Sequence, residues 1–204
     1  MAHEIRPAVA DLSITSATTQ DQSLGRLVII IDFNVEMFLA DLDASVVSNT
    51  DDAEQFDDYR KLRSLSPSKL TAAFEANWID FTDLIKVRDD KGSLLNDFLF
   101  ESLIVEDLKN VDLPRLSMLN FTINNLKDLS GLTIAFDQRL GSTFLRQSGV
   151  QYGRDQSLAA GQVSDLISTT GNRKQSSFNS FLHYIAIGFA HVVPNGFDHI
   201  LFVL

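Results

Sequence analysis

Two histidines and one aspartate close together in the last part of the sequence are the residues best suited to chemistry. His191, Asp198 and His199 offer imidazole nitrogens and a carboxylate, a donor set that suits nickel, zinc, copper and iron. Pro194 and Gly196 lie among them and weaken a regular helix. A broken helix can bring separated side chains around one ion. The residue types therefore predict a transition-metal site at His191, Asp198 and His199.

The segment that carries these residues is long and apolar. Residues 178–204 read FNSFLHYIAIGFAHVVPNGFDHILFVL, and Asp198 is the only formally charged side chain after Lys174. A transmembrane helix needs about 20 mostly apolar residues, so the segment is predicted to span a membrane. It reaches Leu204 without a polar cap, Gly or Pro, which we interpret as a truncated span. A charged side chain inside a span costs about 3 kcal/mol, which marks Asp198 as a functional residue.

Other interpretations of this segment stay open. An apolar run of this length would also suit a buried helix of a soluble protein, although such helices are usually shorter and end in polar turns. Within a membrane, the three polar side chains could instead form hydrogen bonds with neighbouring helices and bind no metal.

Two further histidines are weaker candidates for metal ligands. His183 lies eight residues before His191 and either faces the same site or lies at the headgroup level beside Tyr184. His3 is third from the amino terminus, where an imidazole and a free amine can surround Cu(II) or Ni(II) in a square plane.

The elements that would position these groups follow from the periodicity of the first 172 residues. Alternating or β-branched runs predict strands at 9–16, 26–35, 98–105, 116–123, 132–136 and 142–147. Helical spacing appears at Phe56, Tyr59 and Leu62, and Ser66 is a predicted N-cap followed by Pro67. Strands, then helices, then strands predict an α+β domain, with a mainly antiparallel sheet or sandwich and a helical insert over 52–86.

Turn residues and a polar linker divide the chain. Turns are predicted at 89–92, 124–125, 130–131 and 141. Residues 168–177 are polar and are predicted to link a domain over 1–167 to a first transmembrane helix over 178–204.

Composition limits the functions available. The net charge of −10 leaves no basic footprint for nucleic acid. The absence of cysteine excludes disulfides, thiolate metal sites and cysteine nucleophiles. All four histidines lie near the two ends, so a serine hydrolase built within residues 4–182 would lack a histidine base. Nothing in the residues decides whether the chain is an enzyme.

Five segments together resemble the HupE/UreJ family of hydrogenase and urease accessory membrane proteins. They are residues 3–8 (HEIRPA), 34–43 (NVEMFLADLD), 113–117 (LPRLS), 144–147 (FLRQ) and 188–204 (GFAHVVPNGFDHILFVL). The last segment is similar to the signature of the family's first span. The resemblance covers essentially the whole chain. It implies an extracytoplasmic domain over residues 1–177, directed by a signal peptide and followed by several helices in the cell membrane.

The resemblance also implies a function. Members of this family are associated with uptake of nickel or a related metal, such as cobalt or zinc, and with maturation of metalloenzymes. His191, Asp198 and His199 also resemble, in residue type, the His-x4-Asp-His signature of nickel/cobalt permeases, although six residues separate His191 from Asp198 here. The expected partners are the membrane and a metal ion, and the residues name no protein partner.

Two alternative functions remain. A membrane-anchored periplasmic binding module would use the domain for recognition and the span as its anchor. A membrane-embedded metal-dependent hydrolase would hold an activated water among His191, Asp198 and His199.

Overall fold

Strands and short helices alternate along the part of the chain that a computed structural model describes, which is residues 5–18, 23–108, 115, 117–127, 129–150 and 153–169. The strands are β1 (Ala8–Thr18), β2 (Ser23–Phe33), β3 (Ile85–Asp89), β4 (Leu94–Leu95), β5 (Phe98–Val105), β6 (Ser117–Lys127), β7 (Gly131–Phe136), β8 (Thr143–Ser148), β9 (Gln156–Leu158) and β10 (Ile167–Ser168). The helices are α1 (Val35–Leu39), α2 (Phe56–Arg63), α3 (Pro67–Ala76) and α4 (Trp78–Thr82), with 3-10 turns at Thr50–Asp52 and Gln138–Leu140.

The strands form two sheets. The larger sheet has the order β5-β6-β2-β1-β8-β9, and the smaller has the order β10-β7-β3-β4. All neighbouring strands are antiparallel except β1 and β8, which run parallel. The predicted α+β class with mainly antiparallel sheets is therefore confirmed.

One hydrophobic core receives side chains from both sheets. Strand residues alternate between the two faces of a sheet, so Leu12, Ile29 and Leu119 point inward from β1, β2 and β6 and are fully buried. The helical segment covers part of this core with aromatic rings. Phe74 of α3 and Phe81 of α4 have their ring centroids 5.1 Å apart. This edge-to-face geometry is favourable for aromatic pairs.

Helix α1 is short but has well-defined ends. Asn34 is its N-cap, since the side-chain oxygen accepts a hydrogen bond from the Met37 amide. At the other end, the main-chain amide of Leu42 donates a hydrogen bond to the carbonyl of Met37, and the main-chain amide of Asp41 donates one to the carbonyl of Phe38. This pair of bonds is a Schellman motif, which requires a left-handed residue, and Asp41 has φ of 54°.

Helix α3 differs from its prediction at both ends. Pro67 is its first residue, as predicted, but the Ser66 hydroxyl makes no side-chain cap and lies 3.2 Å from the Ser68 hydroxyl instead. The helical insert was predicted to continue to residue 86. Helix α3 instead ends at Ala76, and α4 begins at Trp78. Asn77 lies between them, and its side-chain Nδ2 donates a hydrogen bond to the main-chain carbonyl of Ala73.

The predicted strands all occur, with bounds shifted by a few residues, but other elements were missed. The prediction of a turn at 124–125 is wrong, because both residues lie inside β6. Strand β2 holds this part of β6 by pairing Leu24 and Gly25 with Lys127 and Leu126, beyond a β-bulge. Pairing between strands here overrides the turn preference of two asparagines. The short elements α1, β3, β4, β9 and β10 were not predicted.

Candidate functional site

The residues that the sequence singles out for metal binding lie outside the described residues. These are His191, Asp198 and His199, together with the weaker candidates His3 and His183. The predicted transmembrane helix over 178–204 lies outside them as well, so the metal site stays a prediction. In the part of the chain that the structure describes, no helix has both the length and the apolar character needed to cross a membrane. Within those same ranges, no three His, Cys, Asp or Glu side chains are grouped to hold a metal ion.

A buried cluster of charges is the first notable polar feature of the described domain. Glu36 of α1 is fully buried, and its Oε1 lies 3.2 Å from Nε of Arg115 and 3.5 Å from Nη1 of Arg63. Both arginines are also buried. Arg115 donates further hydrogen bonds to the main-chain carbonyls of Arg63, at 2.8 Å, and Leu65, at 3.1 Å. We call Glu36, Arg63 and Arg115 the buried ion cluster.

The buried ion cluster connects three distant parts of the chain. The environment of Glu36 also shifts its pKa. Burial raises that pKa above its ordinary value, and the positive charges of Arg115 and Arg63 act to lower it. Because the guanidinium groups bind the end of α2 to α1, the cluster fixes these elements against each other. Its burial leaves no opening for a ligand.

Sequence reasoning missed this cluster for a physical reason. Glu36 is a single acid within an otherwise apolar run, and Arg63 ends an exposed, charged helix. The only available signal was that Glu36 interrupts an apolar segment, since a charge there must be paired if it is buried. Its partners are distant in sequence, so their identity could not be read locally.

An open polar surface surrounds Arg139 on the 3-10 turn after β7. The Arg139 Nε donates to Oδ1 of Asp137 at 3.1 Å, and its Nη1 lies 3.5 Å from Oδ1 of Asp41. The Arg139 side chain is 46% exposed and that of Asp41 is 85% exposed. Although partial burial acts to raise the pKa of Asp137, hydrogen bonds from the Arg139 amide and guanidinium lower it below its ordinary value. We call this region the Arg139 surface.

Two loops build the Arg139 surface. The main-chain carbonyl of Arg139 accepts a hydrogen bond from the Ala44 amide at 3.0 Å, which joins the loop after α1 to the loop before β8. Gly141 makes this close approach possible, since it has φ of 74° and a Cβ there would lie 3.1 Å from Cβ of Ala44. The Schellman turn at Asp41 begins the loop after α1 and brings the Asp41 carboxylate close to Arg139.

Three clefts meet at Arg139. The first has a volume of ≈ 40 Å³ and an apolar lining that includes Phe33 and Met37, so it has room for only a few water molecules. The second, of ≈ 400 Å³, adds the carboxylates of Asp80 and Asp83. The third, of ≈ 420 Å³, has a mixed lining of Asp43, Leu84, Lys86, Ala135, Phe136, Asp137, Gln138, Gly161 and Val163. The two larger clefts have the volume of small-ligand sites, and they combine the guanidinium of Arg139, and in the third cleft also the ammonium of Lys86, with several carboxylates.

Comparison with known proteins adds no assignment, since no family model, no curated protein and no solved structure matches this chain.

Proposed function

We propose that this chain belongs to a membrane protein of the HupE/UreJ type that takes up nickel or cobalt, or supplies such a metal to a maturing metalloenzyme. In this proposal, residues 1–177 lie outside the cytoplasm and residues 178–204 form a transmembrane helix. The observation that carries the proposal is the presence of Asp198 between His191 and His199 in a segment with no other formal charge.

A charged Asp198 within a membrane needs a compensating partner. An ionised carboxylate in a membrane costs about 3 kcal/mol, and such groups usually face a polar path or a bound ion. Two imidazoles near that carboxylate complete a donor set that divalent transition metals accept. Pro194 and Gly196 supply the helix irregularity through which main-chain carbonyls can also contribute.

The domain over residues 5–169 has a supporting role in this proposal. It belongs to a chain with a net charge of −10, and an acidic surface raises the local concentration of cations without selecting among them. Selection of the metal ion is therefore assigned to His191, Asp198 and His199. The acidic domain is assigned the role of concentrating cations near them.

Metal accumulation in cells tests the proposal. Cells that express the protein at matched membrane levels are loaded with nickel or cobalt, and wild type is compared with His191→Ala, Asp198→Asn and His199→Ala. Each variant is expected to reduce accumulation at least tenfold, since an imidazole or carboxylate ligand is not easily replaced. Asn179→Ala is the control, because it removes a polar side chain from the same segment without removing a charge or an imidazole. Unchanged accumulation in all three ligand variants would overturn the proposal.

The Arg139 surface favours a second candidate, a membrane-anchored periplasmic binding module. A guanidinium that shares two clefts with several carboxylates suits a small zwitterionic ligand, because each charge of the ligand would meet the opposite charge. Thermal unfolding with zwitterionic amino acids and dipeptides as probes tests this candidate. Stabilisation by a probe that Arg139→Ala removes and Arg154→Ala leaves intact would support it, since Arg154 is an exposed, ion-paired arginine outside the clefts. No stabilisation of the wild type by any probe would count against it.

A further inference from the structure

The outer face of the larger sheet is unusually apolar for a surface that faces away from the core. Alternation places one side chain in two on this face, and four large apolar side chains there are about half exposed: Leu99, Ile104, Met118 and Phe144. Val9, Val28 and Ile30 lie between them and are partly exposed. We call this surface, which extends over β5, β6, β2, β1 and β8, the outer face.

Strand register arranges the outer face in rows. One row runs across the five strands as Ile104, Met118, Asp32, Val9 and Phe144. The next row runs as Ser102, Asn120, Ile30, Asp11 and Arg146. The first row is apolar except at its centre, and the second row is polar except at its centre. The central strand in both rows is β2.

Two ion pairs neutralise part of the charge on the outer face, whereas the chain as a whole is strongly acidic. Arg146 forms two hydrogen bonds with the carboxylate of Asp11, at 2.7 and 2.6 Å, and Arg26 forms one with Glu101 at 2.7 Å. Asp32 adds a third carboxylate, and Glu106 after β5 is near enough to act on it. A chain with a net charge of −10 repels its own copies through most of its surface, and a patch with paired charges avoids that repulsion. The same carboxylates disfavour contact with anionic lipid headgroups.

We propose that the outer face binds a second copy of this chain around a two-fold axis that lies along β2. Such an axis brings β1 of one copy over β6 of the other, and β8 over β5. Val9 then meets Met118 of the second copy, and Phe144 meets Ile104 of the second copy. In the next row, Asp11 meets the Asn120 amide and Arg146 meets the Ser102 hydroxyl. In the first row apolar side chains contact apolar ones, and in the second row the ion-paired residues contact neutral hydrogen-bonding groups. Farther along β2, Arg26 lies on the axis and meets its own copy, and Leu99 meets Ser148 of the second copy.

The size of the outer face fits such a contact. Five strands at about 4.8 Å spacing and seven residues at about 3.4 Å rise give a face of about 24 by 24 Å. Projecting side chains make its accessible area larger than this plan area of roughly 600 Å², so it approaches the roughly 800 Å² per partner of a standard specific interface.

Asp32 would limit the affinity, because it lies on the axis and meets its own copy. Burial already raises the pKa of Asp32 above its ordinary value in the single chain, with Glu106 acting in the same direction and a hydrogen bond from the Ser117 main chain opposing both. Two carboxylates that meet at an interface repel each other. Asp32→Asn is therefore expected to strengthen self-association at neutral pH by several fold.

Sedimentation velocity of the full chain, in the same detergent for every variant, measures the association. Ile104→Asp on the outer face is compared with Ile79→Asp on α4, where the isoleucine is 69% exposed. The wild type and Ile79→Asp are expected to dimerise equally, and Ile104→Asp is expected to raise the dissociation constant at least tenfold. Circular dichroism checks that both variants fold. A monomeric wild type at about 100 μM, or equal dimerisation of the two variants, would overturn the proposal.

Cross-linking tests the position of the axis with milder substitutions. The chain contains no cysteine, so a single introduced thiol can form a disulfide only with its own copy. Ile30→Cys is expected to give a covalent dimer on mild oxidation, since Ile30 lies on the axis, and Ile79→Cys is expected to give none. An Ile30→Cys variant that does not cross-link would overturn the proposal, and alkylation of its thiol would then show which of two alternatives holds. If iodoacetamide modifies its thiol in the folded chain, the outer face is open, and if the thiol is protected, another segment of the chain covers the face.

Discussion

The described domain uses arginine–carboxylate pairs in two contrasting settings. In the buried ion cluster, Glu36, Arg63 and Arg115 are almost completely removed from solvent. On the Arg139 surface, Arg139, Asp41 and Asp137 keep about a third or more of each side chain exposed. The distances are similar, between 3.1 and 3.5 Å in both places. The two settings therefore differ in solvation far more than in geometry.

This contrast separates the charges on which the stability of the fold depends from those that stay accessible to solvent. Removing one member of a buried cluster leaves the others as uncompensated charges in a poorly polarisable surrounding. Removing one member of an exposed pair leaves a charge that water solvates at once, and exposed pairs contribute only about 0–1 kcal/mol. Stability should thus depend strongly on Glu36 and weakly on Arg139.

The largest expected effect is that of Glu36→Ala. It leaves two buried guanidinium groups without their carboxylate, which is expected to lower the free energy of unfolding by about 3–5 kcal/mol. Urea unfolding followed by circular dichroism measures the change. Glu75→Ala on α3 is the control, because Glu75 is exposed and its loss is expected to change the free energy by less than about 0.5 kcal/mol. A loss below about 1 kcal/mol for Glu36→Ala would remove the contrast between the two settings.

Arg115→Met is expected to have a smaller but still large effect. Glu36 keeps Arg63 as a partner, while two main-chain carbonyls lose their hydrogen bonds, so the expected loss is about 2–3 kcal/mol. The matched variant is Arg146→Met, which breaks the exposed pair with Asp11 and is expected to lose less than about 1 kcal/mol. Equal losses in the two variants would mean that burial does not determine the strength of these pairs.

Arg139→Ala is expected to lower the free energy of unfolding by less than about 1 kcal/mol. Its effect should shrink between 0.05 and 1 M sodium chloride, since the Debye length falls from above 10 Å to about 3 Å. The effect of Glu36→Ala should stay unchanged over the same range, because salt does not reach buried charges. A salt response of the same size in both variants would contradict the assignment of Glu36 to a solvent-excluded cluster.

Asp32→Asn gives the smallest expected effect and tests an intermediate degree of burial. Because the folded-state pKa of Asp32 is raised above 3.8, protonation favours the folded chain, and this contribution to stability is lost as the pH rises through that pKa. The side-chain amide introduced by Asp32→Asn does not ionise, so the variant does not lose stability in this way as the pH rises. The variant is expected to be slightly more stable than the wild type at pH 7 and to have no advantage at pH 3. Urea unfolding of monomeric samples at both pH values measures the difference. A variant less stable than the wild type at pH 7 would contradict the expectation that ionised Asp32 destabilises the folded chain.

Periodicity in the sequence was enough to predict the long strands of this fold but not its short ones. The runs that became β1, β2, β5 and β6 are eight or more residues long and are either alternating or rich in β-branched and other apolar residues, which is enough to indicate a strand. Strands β4 and β10 have two residues each, which is too short for any period to appear. The break between α3 and α4 falls at Asn77, and the hydropathy pattern does not indicate a helix end at that residue.

The candidate sites were predicted less completely than the fold. Glu36, Arg63 and Arg115 come together only through tertiary packing, and Arg139 meets Asp41 because two loops are joined through Ala44. No local spacing encodes such contacts. The histidine and aspartate pattern around His191 could be recognised because its members are close in sequence, and it lies outside the described residues.

The parallel pairing of β1 with β8 has a consequence for the time at which the domain can fold. Val9 pairs with Phe144, so β1 must wait for about 135 further residues to leave the ribosome, which takes roughly 7–27 s at typical rates of synthesis. On its other side, β2 waits for β6. During that interval the hairpin of β1 and β2 has two unsatisfied edges and an apolar face without cover. The nascent chain is therefore expected to need protection from a chaperone until β8 emerges.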